Sequence, residues 1–126
     1  MTQPITKAHQ CRRSAVKVAA RKAKHQVAYI AALHALPCIC TGRTPVEVHH
    51  ILEGRMSMGG LRDDRMAVPL CTEVHRAAHA SGAPEQFMRN AFGIDAVLCA
   101  AHLWKAWEMG EALEFAWSEI RNGKAI

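Results

Sequence analysis

Aromatic side chains are scarce in this sequence, at 6% of 126 residues, although half of all residues are apolar. An interior drawn from that pool is aliphatic and helix-rich, and the length suits one domain with a core large enough to stand without staples. No apolar stretch approaches the roughly 20 residues that cross a bilayer, and the basic N-terminal stretch lacks the apolar run of a secretory signal. A cytoplasmic protein with no membrane partner is the expectation. Cysteines number five, an odd count, and in a reducing cytosol thiols more often bind metal or pack as small hydrophobes than form disulfides. Negative charge is missing from the first third of the chain. Glu47 is the first acidic residue, and Lys7, Arg12, Arg13, Lys17, Arg21, Lys22, Lys24 and Arg43 all precede it. A segment this cationic attracts phosphates and favours nucleic acid, with DNA as the expected partner.

Histidine, by contrast, is abundant: eight in a chain of net charge +5. It is the commonest metal ligand and the side chain best poised to move protons near neutral pH. The chain divides by composition. Residues 1–13 read as a flexible basic tail, and 14–126 as a single domain. From Ser14, an N-cap residue, the pattern predicts a basic helix over 14–36 that stops before Pro37. Val18, Val27, Ile30, Ala31 and Leu33 supply its apolar stripe, with Lys17, Arg21 and Lys24 on another side. Residues 38–80 gather cysteines, glycines and histidines. They read as a strand over 46–52, a loop around "GRMSMGGLRDD", a short strand "MAVPL" and a helix "CTEVHRAAHA". Residues 84–122 read as helices, one ending at Gly93 and a longer stretch with a break at Gly110. Leu98, Trp104, Trp107, Leu113, Phe115 and Trp117 form their core or packing face. The fold class expected is α+β and mostly helical, in the order helix, ββα unit, helices.

The run "VEVHHILEGR" places two histidines side by side on a strand, where neighbouring side chains point to opposite faces. His75 and His79 stand four apart, which puts both on one face of a helix, about one turn apart and close enough to share a metal. If strand and helix pack together, one strand histidine completes a three-nitrogen site. Its neighbour points elsewhere and can take a proton from an attacking water.

The stretch "HALPCICTGRTPVEVHHILEGRMSMGGLRDDRMAVPLCTEVHRAAH" resembles the HNH (ββα-metal) endonucleases, most of all the short phage and prophage forms that include the RecA-dependent nuclease group. The resemblance implies a metal-dependent phosphodiesterase on a small ββα-metal core, between a basic N-terminal helix and C-terminal helices. It places His49 as the first metal ligand, His50 as the general base, and His75 and His79 as the metal-facing pair. One divalent ion (Mg, Mn, Ni or Zn) is the implied cofactor. The partner is DNA bound through its backbone, as duplex or as presented by a recombinase filament or another host protein.

Two departures stand out. The family's structural zinc is held by paired Cys-x-x-Cys or Cys-x-x-His ligands. Here Cys38 and Cys71 fall in place, Cys40 comes one residue early and Val74 stands where the fourth ligand belongs, so a structural zinc is short of a ligand. The Asn of the family name is also absent, from a region holding Asp63, Asp64, Arg65 and Met66. Asp64 can substitute by accepting the other N–H of His50. Arg55, Arg62 and Arg76, together with Lys17, Arg21 and Lys24, are the candidate nucleic-acid contacts. The competing reading is a catalytically weakened HNH-like phage protein that binds DNA or a partner as a regulator or inhibitor.

Overall fold

The structure, a computed structural model, describes residues 25–52 and 62–123. Among them the chain forms, in order, α1 (Val27–His34), β1 (Val46–His50), β2 (Ala67–Cys71), α2 (Thr72–Ala80), α3 (Pro84–Phe92), α4 (Ala96–Glu108) and α5 (Leu113–Arg121). The class is α+β: one two-stranded antiparallel sheet among five helices.

The strands pair in the register Val46↔Cys71, Glu47↔Leu70, Val48↔Pro69, His49↔Val68 and His50↔Ala67. Every residue of β2 is buried, as its uninterrupted apolar run requires. α1 and α4 pack on it, and the 38–43 turn covers its outer edge, where Ile39 donates its N–H to the Pro69 carbonyl at 3.0 Å. Pro69 has no N–H to give and is tolerated because a two-stranded sheet is all edge. Beyond the strands, Ile51 N–H donates to the Met66 carbonyl at 2.9 Å. This bond keeps the segment before β2 beside the end of β1.

α2 starts directly after β2, and its buried residues are Val74 and Ala78, which seat it against both strands. α3 follows a tight turn at Gly82, with Pro84 in its first turn, where a missing N–H is no loss. It ends at Gly93, whose φ of 69° is the left-handed cap that only glycine adopts freely. Asp95 caps α4 by accepting the Leu98 N–H at 3.1 Å. α5 is tied back to the 37–40 segment. Trp117 Nε1 donates to the Pro37 carbonyl at 2.9 Å, and Arg121 donates to the carbonyls of Ile39 and Cys40. No helix among the described residues is long and apolar enough to cross a membrane.

Several expectations shift. The apolar stripe expected on the first helix is inward only in part: Leu33 is fully buried and Ile30 packs against the core, but Val27 and Ala31 are exposed, and Tyr29, outside that stripe, is fully buried. Tyr29 sits between Trp104 and Trp107, with ring centroids 5.0 and 5.5 Å away. Counting only aliphatic residues missed the one aromatic that decides which side turns inward. Burial drives the Tyr29 phenol above its ordinary range. Leu98 and Phe115, expected in the packing face, are 51% and 63% exposed. The inward stripe of α4 consists of Ala96, Cys99, Ala100, Leu103 and Ala106, whose small side chains let the helix approach closely, and Leu98 lies off that stripe. The expected strand over 46–52 ends at His50. The helix expected over 14–36 spans only Val27–His34 among the described residues, with Gln26 as its N-cap; its part before residue 25, Val18 included, and the tail over 1–13 lie outside them.

Leu103→Ala should cost about 2–5 kcal/mol of stability, whereas Leu98→Ala should stay within about 0.5 kcal/mol. Urea unfolding of both variants checks this, and equal losses would contradict the assigned inward face of α4.

Candidate metal centre

Residues two apart on a strand share a face, so Glu47 and His49 both turn toward α2, and His50 turns away. On α2 the Val74–Ala78 stripe faces the sheet, and one residue further round the helix His75 and His79 present their rings at its border. The three imidazoles therefore meet. Ring centroids lie 5.3 Å apart for His49–His75, 5.3 Å for His49–His79 and 4.7 Å for His75–His79. One nitrogen from each falls within 4.8 Å of the others, so the group could hold a metal ion.

The finer geometry fits a divalent ion. His75 Nε2 and His79 Nε2 stand 3.1 Å apart, close to the edge of a nitrogen tetrahedron, about 3.3 Å for metal–nitrogen bonds near 2.0–2.1 Å. Glu47 Oε1 accepts from His75 Nδ1 at 3.1 Å. That bond leaves the His75 Nε2 lone pair aimed at the centre, as a carboxylate behind a metal-binding histidine does. His49 is 3% exposed, and its Nε2 is buried with no hydrogen-bond partner. A buried polar atom without a partner is costly and calls for a ligand. Burial and the neighbouring His75, His79 and His50 lower the His49 pKa to about 4, so this ring is neutral, the form that binds metal. Glu85 Oε1 approaches His49 Nε2 to 3.7 Å. That distance is beyond a hydrogen bond, and with a neutral ring the contact is not an ion pair near neutral pH.

On the other face of β1, His50 Nε2 meets Asp64 Oδ1 at 2.9 Å, and the second oxygen of Asp64 accepts the Gln26 backbone N–H at 2.8 Å. His49, His50, His79 and Glu85 line an open cleft of about 410 Å³, and Arg62 joins His49, His50, His75 and His79 around a second of about 200 Å³. The sequence-derived pairings thus come together at one place: His49 with His75 and His79, His50 with Asp64, and Arg62 at the rim.

Other candidates are not gathered there. Arg76 is exposed on α2 and lines neither cleft. Asp63 is buried and grips the Arg65 side chain at 2.9–3.0 Å, which holds Arg65 beside Trp104 instead. Arg55, Lys17, Arg21 and Lys24 lie outside the described residues. Cys38, Cys40 and Cys71 are buried free thiols, and their sulfurs do not converge as the three imidazole nitrogens do. Cys40 hydrogen-bonds Cys38, which lowers the Cys38 thiol below its ordinary range and raises that of Cys40. Thr41 Oγ1 lies 3.6 Å from Cys71 Sγ, and Val74 is in the core.

Sequence reasoning missed Glu47 and Glu85. Glu47 was legible as the residue two before His49 on the same strand face. Glu85 is three residues before Met88, so its helix register makes it the acid on the inward stripe of α3.

A family model described as "Protein of unknown function (DUF968)" matches residues 12–110. No curated protein and no solved structure matches the chain.

Titration of the metal-free protein with Zn²⁺ or Co²⁺ should show one ion per chain. Binding should weaken by at least about 100-fold in His79→Ala and should change little in His50→Ala, since loss of even a supporting partner costs 10–100-fold. Affinity in the wild type should fall as pH drops, because protons compete for the imidazoles. Isothermal titration calorimetry at pH 6 and pH 8 checks both.

Proposed function

The chain belongs to the DUF968 family, and we propose that it is a metal-dependent DNA endonuclease of HNH type, hydrolysing phosphodiester bonds with His50 as general base. The observation that carries this reading is the His50–Asp64 pair at 2.9 Å, on the strand residue next to His49 and in the same cleft as His79. A base held by a fixed carboxylate beside a candidate metal site is the arrangement hydrolysis of a phosphodiester needs.

Asp64, which as a carboxylate can only accept, takes the Nε2–H of His50 and so leaves Nδ1 as the basic nitrogen, able to accept a proton from an attacking water. The Gln26 N–H on the other oxygen keeps the carboxylate from turning away. Asp64 thereby does for His50 what the absent Asn does in the HNH family. His49, His75 and His79 would hold a divalent ion, which supplies Lewis-acid stabilisation of charge on a phosphoryl group. Nitrogen donors favour zinc or nickel over magnesium, which keeps oxygen ligands. Arg62, exposed at the rim of the smaller cleft, presents a fixed positive charge to a phosphate. Lys17, Arg21, Lys24 and Arg55 enter this reading through their charge alone, as long-range attraction for a polyanion.

The test is nicking of supercoiled plasmid by the full chain across magnesium, manganese, nickel and zinc. Wild type should nick with at least one of them. His50→Ala should lose ~10²–10⁴ in rate while binding metal as wild type does, and Asp64→Ala should fall between the two. If wild type binds metal yet nicks under none of these conditions, the endonuclease reading fails. The chain is then better described as an HNH-like protein that binds DNA or a partner without turnover.

A further inference from the structure

We infer that Glu85 is a fourth protein ligand of the ion held by His49, His75 and His79, an inference that rests on reading those histidines as a metal centre. Glu85 is 8% exposed, in the first turn of α3. A carboxylate buried to that degree needs a positive charge or several hydrogen-bond donors. Among the described residues no lysine or arginine pairs with it, and its polar neighbour is His49 Nε2 at 3.7 Å. That nitrogen is itself buried and without a hydrogen-bond partner. An unpartnered buried nitrogen and an oxygen of a largely buried carboxylate thus face each other across a gap too long for a hydrogen bond, in the cleft that His79 also lines.

A cation in that gap satisfies both. Two ligand atoms bonded at about 2.1 Å to one ion stand about 3.4 Å apart at the tetrahedral angle and about 3.6 Å apart at 120°. The His49–Glu85 separation of 3.7 Å and the His75–His79 separation of 3.1 Å bracket these values. The donor chemistry is complementary as well: Glu47 behind His75 and Glu85 opposite His49 set two carboxylates around three imidazoles, a donor set suited to a divalent ion. Glu85 shares the buried stripe of α3 with Met88, three residues on, so it lies on the inward face of that helix. The N₃O donor set suits zinc or manganese and adds an oxygen ligand that the histidines alone do not provide.

The experiment uses the full chain, stripped of metal and titrated with Co²⁺, reading affinity by calorimetry and coordination by visible absorption. Wild type should bind one Co²⁺. Glu85→Gln, nearly equal in shape, should bind with the same stoichiometry, about 10–100-fold more weakly, and with altered visible bands. Glu85→Cys should acquire a near-ultraviolet thiolate-to-cobalt band that the wild type lacks. Unchanged affinity and spectrum in Glu85→Gln overturn the inference while leaving the three-histidine centre standing. Should Glu85→Gln not fold, absence of the sulfur band in folded Glu85→Cys overturns it instead. His79→Ala separates the two levels. If it binds Co²⁺ as tightly as wild type does, the metal-centre reading itself falls, and Glu85 falls with it.

Discussion

Everything at the candidate site depends on how α2 lies against the sheet. Val74 and Ala78 are its buried residues, and because they are four apart they form a single narrow stripe. Seating that stripe on β1 and β2 leaves no freedom for the residues that follow each of them. His75 and His79 are therefore held at the rim of the contact, facing β1, where His49 is already fixed by its register opposite Val68. Small apolar side chains do the positioning, and the histidines inherit it. The core behind is aliphatic with an aromatic cluster, Tyr29 with Trp104 and Trp107, which joins α1 directly to α4.

The second constraint is electrostatic. Three imidazoles packed together give no reason to be there as hydrocarbon, because each carries a nitrogen that must be satisfied. His75 settles one of its nitrogens on Glu47, and His75 and His79 turn their remaining nitrogens toward each other. His49 is left with a buried nitrogen and no partner. Its burial keeps this ring neutral, so His49 offers a lone pair and not positive charge. On the opposite face of the same strand His50 is treated differently: it is half-buried, open to the cleft, and held by a carboxylate that is itself held by a backbone N–H. Adjacent residues on one strand thus meet two chemistries because a strand alternates its faces.

Much of this was legible in the sequence. The period of two in "VEVHHI" and the four-residue spacing of His75 and His79 were enough to put an imidazole from the strand beside two from the helix, once the two elements packed. Gly93 and Gly110 marked the helix ends, and both have positive φ. Asp64 was identifiable only by asking what could replace a missing Asn. What was not legible depends on contacts distant in sequence. Nothing local tells that Tyr29, not Val27, turns inward, since the reason lies in Trp104 and Trp107 some 75 residues on. The thiols Cys38, Cys40 and Cys71 have spacing close to a zinc motif, yet the 38–43 turn directs Cys40 to hydrogen-bond with Cys38, and Val74 serves the core. Register with Met88 puts Glu85 on one helix stripe in the sequence, but that this stripe turns toward His49 is decided only when α3 packs against α2.

The most direct test of the account is anomalous diffraction at the metal edge from crystals of the zinc- or manganese-loaded chain. The account predicts a single strong peak within about 2.0–2.2 Å of one nitrogen each of His49, His75 and His79. A peak on the cysteine sulfurs instead, or no peak at the histidines in metal-saturated crystals, would contradict it.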